Sequence, residues 1–306
     1  MHPVATTSRR RVLGGVAGLA AAVAVGGRLP ASEPVMRTIA ATGERVPAIG
    51  MGSWITFNVG EDETLRTQRA EVLRAFFAGG GTVIDSSPMY GSSEAVIGWS
   101  LARLGEPPAF AATKVWTPLA MLGPRQMKQS RELWGVERFD LMQIHNMLAW
   151  EGHLETLLAD KAAGRIRLVG MTTSHGRRHA DFAAAMESRP LDAVQFSYSI
   201  ADREAERELL PLAAERGMAV LINRPFDGGL LFRAVEGRPL PPWAAEIDCA
   251  NWAQFFLKFV IAHQAVTCAI PATSRVDHMR ENMGALAGRL PDPAMRERMA
   301  QHVLEL

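Results

Sequence analysis

Cysteine and tyrosine are the scarce residues of this chain, with two of each in 306 positions. Two thiols, Cys249 and Cys268, make no disulfide framework, and their spacing fits no metal site. They read as small buried hydrophobes, and a Cys249–Cys268 disulfide stays open only if the chain is exported. Charge imbalance is absent as well: a formal net charge of +1 gives no electrostatic footprint for nucleic acid. The apolar run Val12–Gly27 falls short of the roughly 20 residues that a membrane span needs. A complete dinucleotide fingerprint is missing too. Gly50-Met51-Gly52 is followed by Ser53, Trp54 and Ile55, so the third glycine of G-x-G-x-x-G is not there. Finally, His153, His175, His179, His263 and His278 do not form a ligand set on strand ends, which argues against a barrel metal hydrolase.

What is present is ordinary globular material, 48% hydrophobic and 21% charged, enough for a large core. It is preceded by a targeting segment. Ser8-Arg9-Arg10-Arg11-Val12-Leu13 leads into the Gly/Ala-rich run, and a charged stretch before a short apolar one reads as a signal peptide. The paired arginines followed by an apolar residue and leucine resemble the twin-arginine (Tat) export signal. Ala22-Val23-Ala24 and Leu29-Pro30-Ala31 are candidate cleavage sites, so residues 1–31 are set apart from a domain at 32–306. Export by that route carries folded proteins, and it predicts a periplasmic location.

From Met36 the chain reads as a β-hairpin, Met36–Ala41 and Arg45–Ala48, around Thr42-Gly43-Glu44. Then come strands at Ile49–Met51, Thr82–Asp85, Phe110–Val115, Asp140–His145, Leu168–Met171, Ala193–Phe196, Ala219–Ile222 and Thr267–Ile270. Helices are predicted between and after them at Glu63–Ala78, Ser92–Leu104, Arg125–Trp134, Gly152–Ala163, Arg177–Glu187, Asp202–Arg216, Trp252–His263 and Val276–Leu286, with a last one at Pro293–Leu304. Ser92 is the expected N-cap of the second helix. Eight strand–helix units predict an α/β fold, a (β/α)8 TIM barrel, with chemistry at the C-terminal ends of the strands. The connection Phe226–Asn251 is long enough to be a lid or binding loop.

Those strand ends are polar. The second gives Asp85 and, five residues on, Tyr90; the third gives Lys114; the fourth gives His145 and Asn146. The fifth gives Thr172, Thr173 and His175, the sixth Gln195, the seventh Asn223 and Arg224, and the eighth Thr273, Ser274 and Arg275. A lysine at the end of an apolar strand needs a partner, and Asp85 on the neighbouring strand is the natural one. A nearby ammonium favours phenolate, so Lys114 is expected to lower the pKa of Tyr90 from about 10 and tune it as an acid–base group. Each residue has a plainer reading alone: a structural ion pair, a core tyrosine, a buried histidine. Four such groups at adjacent strand ends are harder to explain that way.

Asp85-Ser86-Ser87-Pro88-Met89-Tyr90-Gly91-Ser92-Ser93-Glu94, Thr113-Lys114-Val115-Trp116 and Asp140-Leu141-Met142-Gln143-Ile144-His145 resemble the aspartate–tyrosine, lysine and histidine motifs of the aldo/keto reductase family. Ile270-Pro271-Ala272-Thr273-Ser274-Arg275 and Glu281-Asn282 resemble its adenosine-gripping stretch. The resemblance runs from about Met36 to about Gly288. It implies a barrel closed at the bottom by the hairpin and reversible, NADPH-dependent reduction of an aldehyde or ketone, with no metal. In that scheme Tyr90 is the proton donor, Lys114 depresses its pKa, Asp85 holds Lys114, and His145 orients the carbonyl. Trp54, Trp116, Asn146 and the Phe226–Asn251 loop would shape the substrate pocket. Thr273, Ser274 and Arg275 would hold the adenosine 2′-phosphate, Glu281 and Asn282 the adenine, and Gln195 the nicotinamide amide. Ser53, Thr172, Asn223, Pro225 and Gly228 complete the cofactor contacts.

Two positions depart from the pattern. Thr172-Thr173 stands where the family has Ser-Asn, and a threonine cannot supply an amide's two-way hydrogen bonding. Asn223 stands where the family often has a tyrosine that stacks on the nicotinamide. The expected partners are a small carbonyl substrate and the Tat export machinery, with no nucleic acid, no stable membrane span in the mature protein, and a monomeric state. The alternative on the same barrel is a nucleotide-binding redox sensor or subunit that does not turn over.

Overall fold

The computed structural model describes residues 33–306; the proposed signal segment lies outside them. The hairpin forms first, with β1 (Met36–Ile39) antiparallel to β2 (Glu44–Pro47). Eight parallel strands follow: β3 (Met51–Gly52), β4 (Val83–Asp85), β5 (Phe110–Val115), β6 (Phe139–Ile144), β7 (Ile166–Thr172), β8 (Ala193–Ser197), β9 (Ala219–Asn223) and β10 (Cys268–Ala269). Each pairs with its sequence neighbour. The ends of the sheet meet through parallel bridges Ile49 to Ala269 and Gly52 to Ala272, which close the ring. The two glycines of Gly50-Met51-Gly52 serve that seam. A Cβ at Gly52 would sit 2.7 Å from the Ile270 carbonyl oxygen, and one at Gly50 2.8 Å from that of Val83.

The helices alternate with the strands as the sequence predicts. They are α1 (Glu63–Ala78), α2 (Ser93–Arg103), α3 (Gly123–Trp134), α4 (Trp150–Ala162), α5 (His179–Ser188), α6 (Leu209–Glu215), α7 (Leu230–Ala234), α8 (Trp252–Ile261), α9 (Val276–Gly284) and α10 (Pro293–Leu304). In α1 the buried side of the amphipathic stripe is Val72, Leu73 and Phe76, and Asp62 caps the first turn by accepting from the Leu65 amide at 2.9 Å.

Three expectations need correction. The helix expected at Asp202–Arg216 is only α6, preceded by a 3₁₀ turn at Glu204–Glu206. Pro211 explains the shortening, since proline is tolerated in a first turn but not deeper in a helix. Ser92 occupies the N-cap position of α2 as expected but makes no capping bond; its hydroxyl instead donates to Asn58 Oδ1 at 3.0 Å and accepts from the Gly60 amide at 2.8 Å. The long connection Phe226–Asn251 contains α7 and two 3₁₀ turns, Asp227–Gly229 and Pro242–Ile247. Both cysteines are free thiols, Cys268 buried and Cys249 half-buried.

The barrel has two unlike ends. At the bottom, Ile39 and Val46 of the hairpin pack against Val83, Phe110, Leu141, Leu168 and Ala219 from the starts of the strands. At the top, the strand ends surround a cavity of about 830 Å³, a size that suits a small-molecule site.

Candidate active site

Asp85 ends β4, and Lys114 lies one strand over on β5, two residues beyond Ala112, which pairs with Asp85. Both are buried, and the ammonium meets Asp85 Oδ2 at 2.5 Å and the Ser86 carbonyl at 2.8 Å. The other carboxylate oxygen accepts from Gln143 Nε2 at 2.9 Å and Gln195 Nε2 at 3.0 Å. Four strands thus converge on one carboxylate. Burial pushes the Lys114 ammonium down, but Asp85 and then Tyr90 push it up, and its pKa ends above the ordinary lysine value. It stays charged, as a buried ion needs its counter-ion and hydrogen bonds to do.

Tyr90 closes a 3₁₀ turn, Pro88–Tyr90, that starts at Ser87, whose hydroxyl accepts from the Met89 amide at 3.2 Å. Gly91 follows with φ +63°, and a Cβ there would sit 2.4 Å from Asn58 Oδ1. Asn58 also accepts from the Ser92 amide at 3.0 Å, so the β3–α1 loop clamps the tyrosine loop. The Lys114 Nζ lies 5.2 Å from the Tyr90 ring centre, close enough for its charge to act on the phenol. The pKa expectation is overturned here. Burial of the phenol dominates, Lys114 pulls down, Asp85 pushes up, and the net direction is upward from 10. The lysine offsets desolvation rather than making Tyr90 acidic.

His145, just past β6, is 5% exposed. Its ring stands edge-on to Tyr90, with centroids 5.6 Å apart and an interplanar angle of 85°. Burial and then the Lys114 charge lower its pKa to about 2, so the ring is neutral. Its Nδ1 is 2.8 Å from the Ser87 hydroxyl, which leaves Nε2 for the cavity that the residue lines.

The structure brings most of the expected site residues to that one cavity. Asp85, Tyr90, His145, Ser53, Trp54, Asn146, Thr172, Gln195, Asn223, Pro225, Gly228, Thr273, Glu281 and Asn282 all line it. Lys114 is sealed behind Asp85 and Tyr90. Trp116, Ser274 and Arg275 do not line it. Trp116 is 41% exposed, with its backbone held by the Gln126 side chain. Arg275 is exposed and paired with Asp277 on the surface. Gln195 reaches the cavity, but its amide nitrogen is committed to Asp85 and, at 3.1 Å, to Gln143 Oε1. Ser53 is committed likewise: its hydroxyl donates to the Asp85 carbonyl at 3.0 Å and is hydrogen-bonded to the Ser86 hydroxyl at 2.8 Å.

The two departures from the family pattern have structural roles. Thr172 Oγ1 accepts from the Asn146 amide at 3.0 Å and keeps its own proton for another partner. Thr173 turns its hydroxyl to the Arg177 carbonyl at 2.6 Å. The side chain of Asn223 is engaged at the cavity wall on both its polar atoms, accepting from Ser197 Oγ at 2.7 Å and donating to the Thr173 carbonyl at 3.0 Å. It ties β8, β9 and the loop after β7 together.

Sequence reasoning missed several residues of this region. Gln143 was findable, since it stands two residues before His145 on the same strand face. Ser87, between Asp85 and Tyr90, is buried against the His145 ring, a contact across 58 residues that its own stretch does not show. His175 (φ +59°) and Arg224 (φ +53°), polar strand-end residues in the sequence with no role assigned there, line the cavity as well. His278 lines it beside Thr273 and Glu281, where Arg275 had been expected.

Known proteins share the fold and part of the sequence. Residues 48–300 match the profile of the Aldo/keto reductase family. Methylglyoxal reductase YeaE of Escherichia coli is 29% identical over 263 residues, which span 79% of this chain and 86% of that protein. Aldo-keto reductase YhdN of Bacillus subtilis is 27% identical over 212 residues, spanning 63% of this chain and 62% of that one. A crystal structure of an aldo/keto reductase from Klebsiella pneumoniae, in complex with NADP and acetate, shares the fold with a TM-score of 0.74 at 24% identity, covering 87% of this chain and 94% of that one. The family match covers nearly all of the barrel, and the chain therefore belongs to the aldo/keto reductase family of oxidoreductases.

Proposed function

We propose that the protein reduces an aldehyde or ketone to the alcohol with NADPH, and that Tyr90 delivers the proton. The observation that carries this reading is the meeting of Tyr90, backed by the buried Lys114–Asp85 pair, with a neutral His145 at the wall of one cavity. Bound NADPH supplies the hydride for the carbonyl carbon. The raised pKa of Tyr90 then makes sense. A proton donor must still hold its proton when substrate arrives, and the phenol does so at neutral pH. Lys114 acts afterwards, by stabilising the phenolate left behind. His145, neutral down to about pH 2, offers a hydrogen bond to the same oxygen without bringing charge into the pocket. Thr172 keeps a free donor for the nicotinamide, and Thr173, with its hydroxyl turned away, makes no such contact. Glu281, Asn282, Thr273 and His278 line the cavity and would hold the adenosine of the bound nucleotide.

The name of the Escherichia coli relative suggests a small dicarbonyl such as methylglyoxal as the first substrate to test. NADPH should quench the fluorescence of Trp54 and Trp252, which line the cavity; no quenching sinks the cofactor assignment. Tyr90→Phe should keep the quenching and lower NADPH-dependent reduction by about 10²–10⁴-fold. Equal turnover in the variant would remove Tyr90 from the chemistry.

Residues 1–31 are proposed to direct twin-arginine export of the folded protein to the periplasm. Support comes from Arg10-Arg11-Val12-Leu13 ahead of a Gly/Ala-rich run. Replacing Arg10 and Arg11 by lysine should hold the protein in the cytoplasmic fraction. Unchanged fractionation would end this reading.

A further inference from the structure

Ser87 has no side-chain role in the scheme above, yet it is completely buried against the group that faces the substrate. Its hydroxyl oxygen accepts from the Met89 amide at 3.2 Å and lies 2.8 Å from His145 Nδ1. A hydroxyl has one proton and two lone pairs. If Nδ1 carried the imidazole proton, it would donate to Ser87, both lone pairs would be used, and the serine proton would need a further acceptor. Among the described residues no other partner for Ser87 Oγ is found; the neighbouring hydroxyls of Ser53 and Ser86 bond each other at 2.8 Å. If Ser87 instead donates to Nδ1, every capacity is used: one bond in from Met89, one bond out to the ring. Buried polar groups are satisfied in this way as a rule.

We infer that Ser87 is a positioning residue that fixes His145 as its Nε2–H tautomer, so that the ring donates into the cavity. The inference rests on the carbonyl-reducing reading for its consequence, though not for its geometry. With Nε2–H, His145 and Tyr90 are two donors set edge to face, and they converge on the two lone pairs of one carbonyl oxygen. With the opposite tautomer, Nε2 would present a lone pair, repel the carbonyl oxygen and compete for the Tyr90 proton. The serine thus decides whether the cavity wall holds two donors or a donor and an acceptor, which is the second-contact control that histidine sites commonly use. The same hydroxyl caps the turn that carries Tyr90, so one side chain sets both donors.

The test is ¹⁵N NMR of the full chain labelled in its histidine rings, with the His145 signals assigned by their loss in His145→Gln. The expected wild-type pattern is a protonated Nε2 and a bare Nδ1. Ser87→Ala should move the ring toward Nδ1–H and lower kcat for aldehyde reduction by about tenfold or more, with NADPH quenching unchanged. Ser87→Thr keeps the hydroxyl and should restore the tautomer and most of the rate. A wild-type ring protonated on Nδ1 overturns the proposal without any substitution. So does Ser87→Ala with the Nε2–H pattern intact. If the tautomer behaves as expected while no carbonyl is reduced, the positioning role stands and the functional reading fails.

Discussion

At the bottom of the barrel the chain turns mostly on glycine, and at the top residues with side chains share the left-handed turns with Gly60, Gly91, Gly176, Gly228 and Gly229. Gly80, Gly105, Gly135, Gly164 and Gly217 follow five of the helices with φ between +64° and +84°, and four of them have nothing within 4 Å of the place where a Cβ would be. Gly217 has only Ala40, at 3.9 Å. Glycine adopts that conformation without steric cost. The loops that follow the strands use the same left-handed region at Ile55, Asn146, Met147, Ala149, His175, Arg178, Arg224 and Asp227. Of these, Ile55, Asn146, His175 and Arg224 line the cavity. For a β-branched residue such as Ile55 the conformation is a true outlier, and strain of this kind collects at functional sites. The contrast teaches a division of labour. The bottom is built from an apolar plug and turns that, Glu106 (φ +53°) aside, are made on glycine, and the top carries buried charge and strained loops because its side chains are needed there.

The strongest way to break this contrast is Lys114→Met. Removing one partner of a buried pair leaves Asp85 with only two amides, and the expected loss is about 3–5 kcal/mol of stability together with activity. Denaturant midpoints would measure it, and the double variant Asp85→Asn/Lys114→Met should regain much of the stability but none of the activity. A loss under about 1 kcal/mol for Lys114→Met would mean that the pair does not anchor the top. A gentler comparison exchanges the two kinds of turn. Gly135→Ala adds a Cβ in open space at φ +70° and should cost about 1 kcal/mol with turnover unchanged. Ile55→Gly relieves strain at φ +63° and should change stability by less than about 1 kcal/mol while altering KM for the carbonyl. Equal stability losses in the two variants would show that the ends do not differ in stored strain.

Much of the fold was legible because the bottom announces itself. Glycines after periodic helices mark the turns, and apolar runs such as Phe110–Ala112 mark the strands, so α1, β5 and α10 fall where the sequence puts them. The top was legible only as a set of residue types. Asp85, Lys114, Tyr90 and His145 were visible because a charge or a scarce tyrosine at the end of an apolar run is conspicuous. Arg275 stands at the surface for a reason its stretch does not announce: Asp277, two residues on, pairs with its guanidinium. Trp116 follows β5 directly, and its loop is held by Gln126 outside the cavity wall.

The sequence by itself determined which chemical groups stand at the strand ends and in what order around the ring. Strand alternation and the β–α rhythm leave little freedom there. Tertiary structure alone decided their states. Tyr90 is held as a phenol rather than poised as phenolate, because burial outweighs the neighbouring ammonium. Asp85 is held by Gln195, which is 110 residues away in the chain. His145 is neutral because it is buried beside Lys114. Protonation and tautomer depend on desolvation and on partners from distant strands, and those exist only once the barrel has closed.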